Sequence, residues 1–440
     1  MSHQDFSKTN SVPLATSKPN FLPYVICLLG AMFYLYEFVL QVSPAVMTSE
    51  LMRDFQLNAA GLGAMAAFYY YSYTPMQLPA GLLYDRFGTR ILITVAIGIC
   101  TLGAFCFSLT HSVAIASFGR LLMGVGSAFS FIGAILLVSR WLPPQYFALM
   151  AGVIQLMSSV GAIAGQAPLA AAIATWGWRS TLFTVAVLGL LLGVFTWFLL
   201  KEKNPPAHNN KAHVATNEWQ RLRKVCGNSQ TWWIALFSFM AWAPIVAFAA
   251  LWGIPFLVVA YGISTKVAST ACAMIWVGIG VGSPFIGWWS DKIGRRCLPL
   301  TLTAFLGFIA AAITIYFTHL NIVWLYICLF FIGVGAAGQA LSFGLVRDRS
   351  DSSIVGTAVG FNNMAVVAGG ALFQPLIGIL LHWHSTGEMQ QGAPVYNLAD
   401  YQIALILVPL CYLAAALISR FLIKETHCLP QYHATSSPHA

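Results

Sequence analysis

Charge is what this chain lacks. Only 8% of its 440 residues are Asp, Glu, Lys or Arg and 58% are hydrophobic, whereas soluble domains carry about 25% charged residues. The 22 Lys and Arg and 13 Asp and Glu cannot clothe a soluble surface of this size, so lipid must replace water over most of it. Cys-x-x-Cys spacing is missing too. The nine cysteines lie mostly inside apolar runs and read as small packing residues, with no disulfide and no metal expected. His382 and His384 lack a nearby third ligand. No Gly-Lys-Ser/Thr phosphate loop occurs and the Gly-x-Gly runs sit within apolar helices, so neither ATP-driven transport nor a nucleotide cofactor is expected. Period-2 alternation is absent, which excludes a membrane barrel.

What is present is a series of apolar runs, each of about 20 residues, the length that crosses roughly 30 Å of hydrocarbon. Twelve are predicted, near 21–46, 60–83, 91–110, 113–137, 147–171, 180–200, 231–258, 268–289, 298–318, 321–345, 355–381 and 401–423. In lipid the backbone must satisfy itself, so each is read as a helix. The polar first 20 residues precede a run too long for a signal-peptide core and are expected to stay. Alternate loops divide the basic residues 18 to 3, with Arg120 left inside a helix, which predicts that both termini are cytoplasmic. The positive charge is spread over loops and does not suggest nucleic acid. No Asn-x-Ser/Thr site occurs, in keeping with a bacterial inner membrane.

The expected organisation is a tail at 1–20, six helices over 21–200, a linker at 201–230, six more helices over 231–423 and a tail at 424–440. Residues 217–224 of the linker suit either a short amphipathic surface helix or a tether. The halves repeat. Gly81-Leu-Leu-Tyr-Asp85-Arg86-Phe-Gly88-Thr-Arg90 follows the second run, and Gly287-Trp-Trp-Ser-Asp291-Lys292-Ile-Gly294-Arg295-Arg296 follows the eighth. GVGSA at 124–128 matches GVGAA at 333–337, and Gly152, Gly161 and Gln166 match Gly360, Gly369 and Gln374. The offsets, 206, 209 and 208 residues, are nearly constant, as a duplication requires.

These motifs resemble those of the major facilitator superfamily, Gly-x-Leu-x-Asp-Arg/Lys-x-Gly-x-Arg, with Trp289 in place of Leu in the second copy. Arg120, Gly124 and Gly126 resemble the family's Arg-x-x-x-Gly-x-Gly pattern. Pro168 beyond Gln166 departs from its Gly-Pro antiporter signature. The resemblance implies an all-α membrane protein, with twelve transmembrane helices in two pseudo-symmetric six-helix bundles, working as a non-enzymatic transporter by alternating access. The stretch Tyr34-Leu-Tyr36-Glu37-Phe38-x-x-Gln41-Val42-Ser43-Pro44 is similar to a bacterial branch that includes phagosomal amino-acid transporters and, more distantly, a lysosomal dipeptide transporter. That similarity implies an amino acid or short peptide as solute. An organic-anion or siderophore carrier and a non-transporting membrane sensor stand as alternatives.

Charges inside helices are the candidate chemistry, because an unpaired one there costs about 2.5–3.5 kcal/mol or more. Glu37 in helix one and Arg120 in helix four reach a similar depth, which predicts a buried pair. Glu37 could exchange a proton, or it could hold a solute ammonium while Arg120 holds the carboxylate. Tyr34, Glu37 and Gln41 share a helical stripe. Ser127, Tyr73, Trp252, Gln339 and Phe343 are expected to complete an aromatic and amide-walled cavity, and Tyr69, Tyr70, Tyr71, Phe131 and Trp242 are further candidates. The motif acids Asp85 and Asp291 are predicted to sit beside a helix N-terminus and to pair with arginines or a helix end when the cytoplasmic side is closed, letting go as it opens, the alternative being that these charges only set topology. The helix glycines are read mainly as packing surfaces. Expected partners are the solute, membrane lipid and, as a candidate co-substrate, protons; the protein is expected to be monomeric.

Overall fold

The computed structural model describes residues 21–143, 146–201, 218–351, 354–390 and 392–430. Eleven helical segments in it are long and apolar enough to cross a membrane. A twelfth long helix, Ala59–Phe87, falls second in the chain; its Tyr69-Tyr70-Tyr71-Ser72-Tyr73-Thr74 stretch, Gln77 and two prolines make it more polar than the rest. In chain order these are α1 (Leu22–Val46), α2 (Ala59–Phe87), α3 (Thr89–Leu109), α4 (Val113–Trp141), α5 (Leu149–Trp176), α6 (Trp178–Leu199), α7 (Ser229–Tyr261), α8 (Thr265–Ile293), α9 (Cys297–Tyr316), α10 (Ile322–Arg349), α11 (Val355–His384) and α12 (Leu398–Phe421). Helices dominate because lipid offers the backbone no partner.

Several segments are interrupted. The helix within α4 breaks after Ser127 and resumes at Ser130, and α10 breaks after Ala337 and resumes at Ala340. Both breaks fall at the end of the repeated glycine motif. In α7, the stretch Ile245–Trp252 after Pro244 is π-helical, closed by Gly253 N–H donating to the Phe248 carbonyl five residues back. The linker helix runs Glu218–Cys226, as the amphipathic reading predicts; the rest of the linker, 202–217, lies outside the described residues.

The two motif loops lie on one face of the protein, called here the basic face. Gly88 and Gly294 take φ +78° and +62° there, values that side-chain-bearing residues adopt at a cost. A cavity of about 830 Å³ opens near this face between the bundles, lined by Gln77, Gly81, Phe131, Phe343, Gly360 and Asn363 among others. At the opposite face the bundles are tied together: Asn58 Nδ2 lies 3.3 Å from His382 Nε2, and Ala59 N–H donates to the Tyr396 hydroxyl at 2.8 Å. The cavity opens on the basic face, where Asn363 Nδ2 still donates to Gln77 Oε1 across the bundles at 2.9 Å, and the other face is closed.

Candidate functional site

Glu37 and Arg120 are both buried, at 0% and 1% exposure, and they do not form the ion pair their matching depth suggested. Tyr69 stands between them. Its hydroxyl donates to Glu37 Oε1 at 2.6 Å, while the Arg120 guanidinium carbon lies 4.8 Å from the centre of its ring. A tyrosine can serve both neighbours at once because its π face attracts a cation and its hydroxyl donates to an anion. The placement follows from Gly124, where an added methyl would collide with the Tyr69 carbonyl. Without a side chain there, α2 and α4 approach closely, and Ser72 Oγ clips them together by donating to the Leu121 carbonyl at 2.7 Å.

The second Glu37 oxygen lies 3.4 Å from Ser130 Oγ, a polar contact and not a second full bond, since the one hydroxyl proton goes to a closer acceptor. Ser130 itself is held at the break of α4 by donating to the Ser127 carbonyl at 2.7 Å. Arg120 donates through Nη1 to the Leu40 carbonyl of α1 at 2.8 Å, and its Nε and Nη2 are buried with no acceptor. Among the described residues no carboxylate lies within ion-pair distance of this guanidinium. Three helices thus bring one acid and one base to a common tyrosine. The acid is hydrogen-bonded and the base retains free donors.

The other expected site residues divide by position. Tyr34 packs on Phe131 at 5.4 Å, and Phe131 lines the cavity, whereas Glu37 and Arg120 do not. Tyr73 stacks on Tyr69 at 5.6 Å. Phe343 lines the cavity from the other bundle. Gln339 sits at the break of α10 with Nε2 buried and unpartnered. Ser127 is buried, with its Oγ 3.6 Å from Cys100 Sγ, and Gln41 is buried on α1. Trp252 is not a cavity wall: it is fully buried in the π-helical stretch and donates to the Gln374 carbonyl at 3.0 Å. Of the further aromatics, Tyr70 packs its ring against Gly370 of α11 while Tyr71 is exposed. Ser130 escaped sequence reading, since a serine one turn from a glycine motif carries no signal of its own.

The motif charges require correction. Asp291 lies in the last turn of α8 and not beside a helix N-terminus, and it receives Arg296 Nη1 at 2.7 Å while this face is open. Its pair therefore does not depend on closure. The arginine is Arg296, which also reaches Asp348 Oδ2 at 3.4 Å and Ser290 Oγ at 3.2 Å; Arg295 is exposed. Asp348 is a buried acid beyond Glu37, at 2% exposure. The Asp85 side chain lies outside the described residues. Arg90 holds the Trp197 carbonyl at 2.8 Å, Arg86 lies 5.2 Å from the Phe87 ring and Lys292 lies 4.9 Å from the Trp288 ring. Gly81 and Gly287 have open space where a side chain would point.

Outside the membrane, burial pushes the Asp54 carboxyl up, but bonds from Trp178, Arg179 and Arg53 outweigh it and hold the group below the usual range. Glu425 behaves alike: burial raises it, and the backbone N–H groups of Arg296, Cys297, His427 and Thr426 bring it lower.

Duplicated bundles, paired basic-face motifs and an interbundle cavity are the arrangement of an alternating-access carrier. A model of the Major Facilitator Superfamily matches residues 26–374 and 245–431. The chain belongs to that superfamily. It is 24% identical over 299 residues to the uncharacterised transporter YybO of Bacillus subtilis (strain 168), covering 63% of this chain and 67% of that one. With the hexuronate transporter of the same organism the identity is 22% over 389 residues, 82% and 88% of the two chains. With the membrane sensor protein UhpC of Escherichia coli (strain K12) it is 25% over 390 residues, 82% and 85%. A bacterial homologue of the human lysosomal transporter Spinster, solved inward-facing and unoccupied, shares the fold with a TM-score of 0.72 at 15% identity, over 92% of this chain and 98% of that one. The chain is an integral membrane transporter of this superfamily and not an enzyme.

Proposed function

We propose that the chain carries an organic anion of the sugar-acid kind together with a proton. The observation that carries this reading is Arg120, a buried guanidinium with two nitrogens unpaired and no carboxylate within ion-pair distance among the described residues. A desolvated cation with free donors in a fixed fork suits a carboxylate. The hexuronate transporter among the relatives supports that class of solute.

Charge balance supplies the proton. Glu37 and Arg120 together are neutral, and a bound monoanion would leave one net negative charge inside the membrane. Net charge there is costly. A proton on Glu37, passed within its contact to Tyr69 and Ser130, restores neutrality. The amino-acid or peptide reading has no support among these relatives, whereas the hexuronate transporter supports an acid, so the anion reading is preferred. The 18 to 3 division of basic residues supports a cytoplasmic basic face in a bacterial plasma membrane.

The test is uptake into proteoliposomes of hexuronates and aldarates, beside neutral sugars, amino acids and dipeptides, with and without a pH gradient. Gradient-dependent uptake of the acids alone supports the proposal. Uptake of zwitterions or neutral sugars in preference to acids contradicts it, and acid binding without uptake points to a sensor.

A further inference from the structure

Gln166 and Gln374 occupy equivalent places in the two halves, 208 residues apart, on α5 and α11. Duplicated glutamines would be expected to make equivalent bonds, each to its own bundle. Instead both converge on the π-helical stretch of α7. Gln374 Nε2 donates to the Val246 carbonyl at 2.7 Å within the C-terminal bundle, and Gln166 Nε2 donates to the Ala249 carbonyl at 2.8 Å from the N-terminal bundle. Gln166 Nε2 also lies 3.7 Å from Cys272 Sγ of α8. Both side chains are at most 1% exposed, and in each the amide oxygen is buried without a donor. π-helical turns often mark functional positions.

We propose that Gln166 is the bolt of the gate opposite the cavity and that Ile245–Trp252 is the segment it holds. The inference rests on the rocking-carrier reading above. As the bundles separate on the closed face, the bond from Gln166 to Ala249 breaks, because its ends belong to different bundles. The bond from Gln374 to Val246 travels with its bundle and keeps the π-helical segment formed. Gln166 therefore adds a buried bond to the closed face beside the contacts of Asn58 with His382 and of Ala59 with Tyr396, and its repeat partner preserves the surface it closes upon. With its amide oxygen unpaired among the described residues, the bolt is held by the Ala249 bond and the weaker Cys272 sulfur contact alone, which suits a contact that must release in every cycle.

The experiment measures distances in the full-length protein in lipid nanodiscs, with genetically encoded spin labels at Thr175 and Thr270. These exposed positions flank the closed face on opposite bundles, and the native cysteines remain in place. Gln166→Met should raise the ratio of long to short distances by roughly threefold to tenfold, the effect of removing one buried hydrogen bond. Gln374→Met should leave that ratio within about twofold. If the Met variant at 166 cannot be purified, Gln166→Asn, one carbon too short to reach, takes its place. An unchanged ratio in the 166 variant, or an equal shift from Gln374→Met, overturns the bolt while leaving the carrier reading intact. A wild-type protein that keeps one distance under every solute overturns both.

Discussion

Glu37 and Arg120 never touch, yet both are held by Tyr69, the acid at the hydroxyl and the base over the ring. The tyrosine keeps opposite charges close without letting them neutralise each other directly. Arg120 thereby keeps two buried nitrogens with no acceptor among the described residues.

Tyr69→Phe keeps the ring and removes only the hydroxyl, leaving Glu37 with the longer Ser130 contact. Losing this charge-assisted bond should lower stability by about 1–3 kcal/mol. Combining it with Glu37→Gln should recover part of the loss, since the unpaired carboxylate is then gone. Thermal unfolding of the two single variants and the double variant in detergent measures the coupling; strictly additive losses would show that the two side chains act independently.

Arg296→Gln removes the buried arginine partner of Asp291 and Asp348 and leaves Asp348 with the Thr426 hydroxyl and the 3.9 Å contact of exposed Arg347, a change worth about 3 kcal/mol, the lower end for a broken buried pair. Arg295→Gln, on an exposed side chain, should stay within about 0.5 kcal/mol of the parent. Unfolding midpoints of the pair decide which arginine the motif uses, and equal midpoints would refute the assignment to Arg296.

Asp54 pins the short helix Thr48–Asp54 to the start of α6 through Trp178 and Arg179. Its carboxyl is held below the ordinary value of 3.8 when folded. The stabilisation is therefore complete above that value and is lost as pH falls through the lower, folded one. Asp54→Asn should weaken the protein at neutral pH and remove this part of the acid sensitivity. Stability profiles from pH 7 down to 3 test it; parallel curves for parent and variant would rule the linkage out.

Much of this fold was legible in the sequence for a physical reason. Lipid forces each long apolar run into a helix, and the near-constant offset between motifs exposes the duplication. The depth of Glu37 and Arg120 could also be counted along their helices. Their lack of direct contact could not, because it depends on Gly124 admitting α2 until the Tyr69 ring fills the gap. Arg295 and Arg296 are adjacent after left-handed Gly294; the Gly-x-Arg spacing that gives Arg90 in the first copy gives Arg296 in the second, whereas Arg295, read as the motif residue, is exposed. Gln166 and Gln374 were visible as repeats, but their convergence on α7 breaks the symmetry that revealed them. The π-helical stretch they grip has no periodic signature at all.

The anion-binding role of Arg120 is tested most directly by equilibrium binding of a hexuronate to purified parent, Arg120→Gln and Glu37→Gln proteins at fixed pH. Loss of the buried charge partner should weaken binding by about 2–5 kcal/mol, at least some thirtyfold, in Arg120→Gln, while Glu37→Gln, a neutral stand-in for the protonated acid, should bind at least as tightly as the parent. Undiminished hexuronate affinity in a folded Arg120→Gln protein would contradict the account.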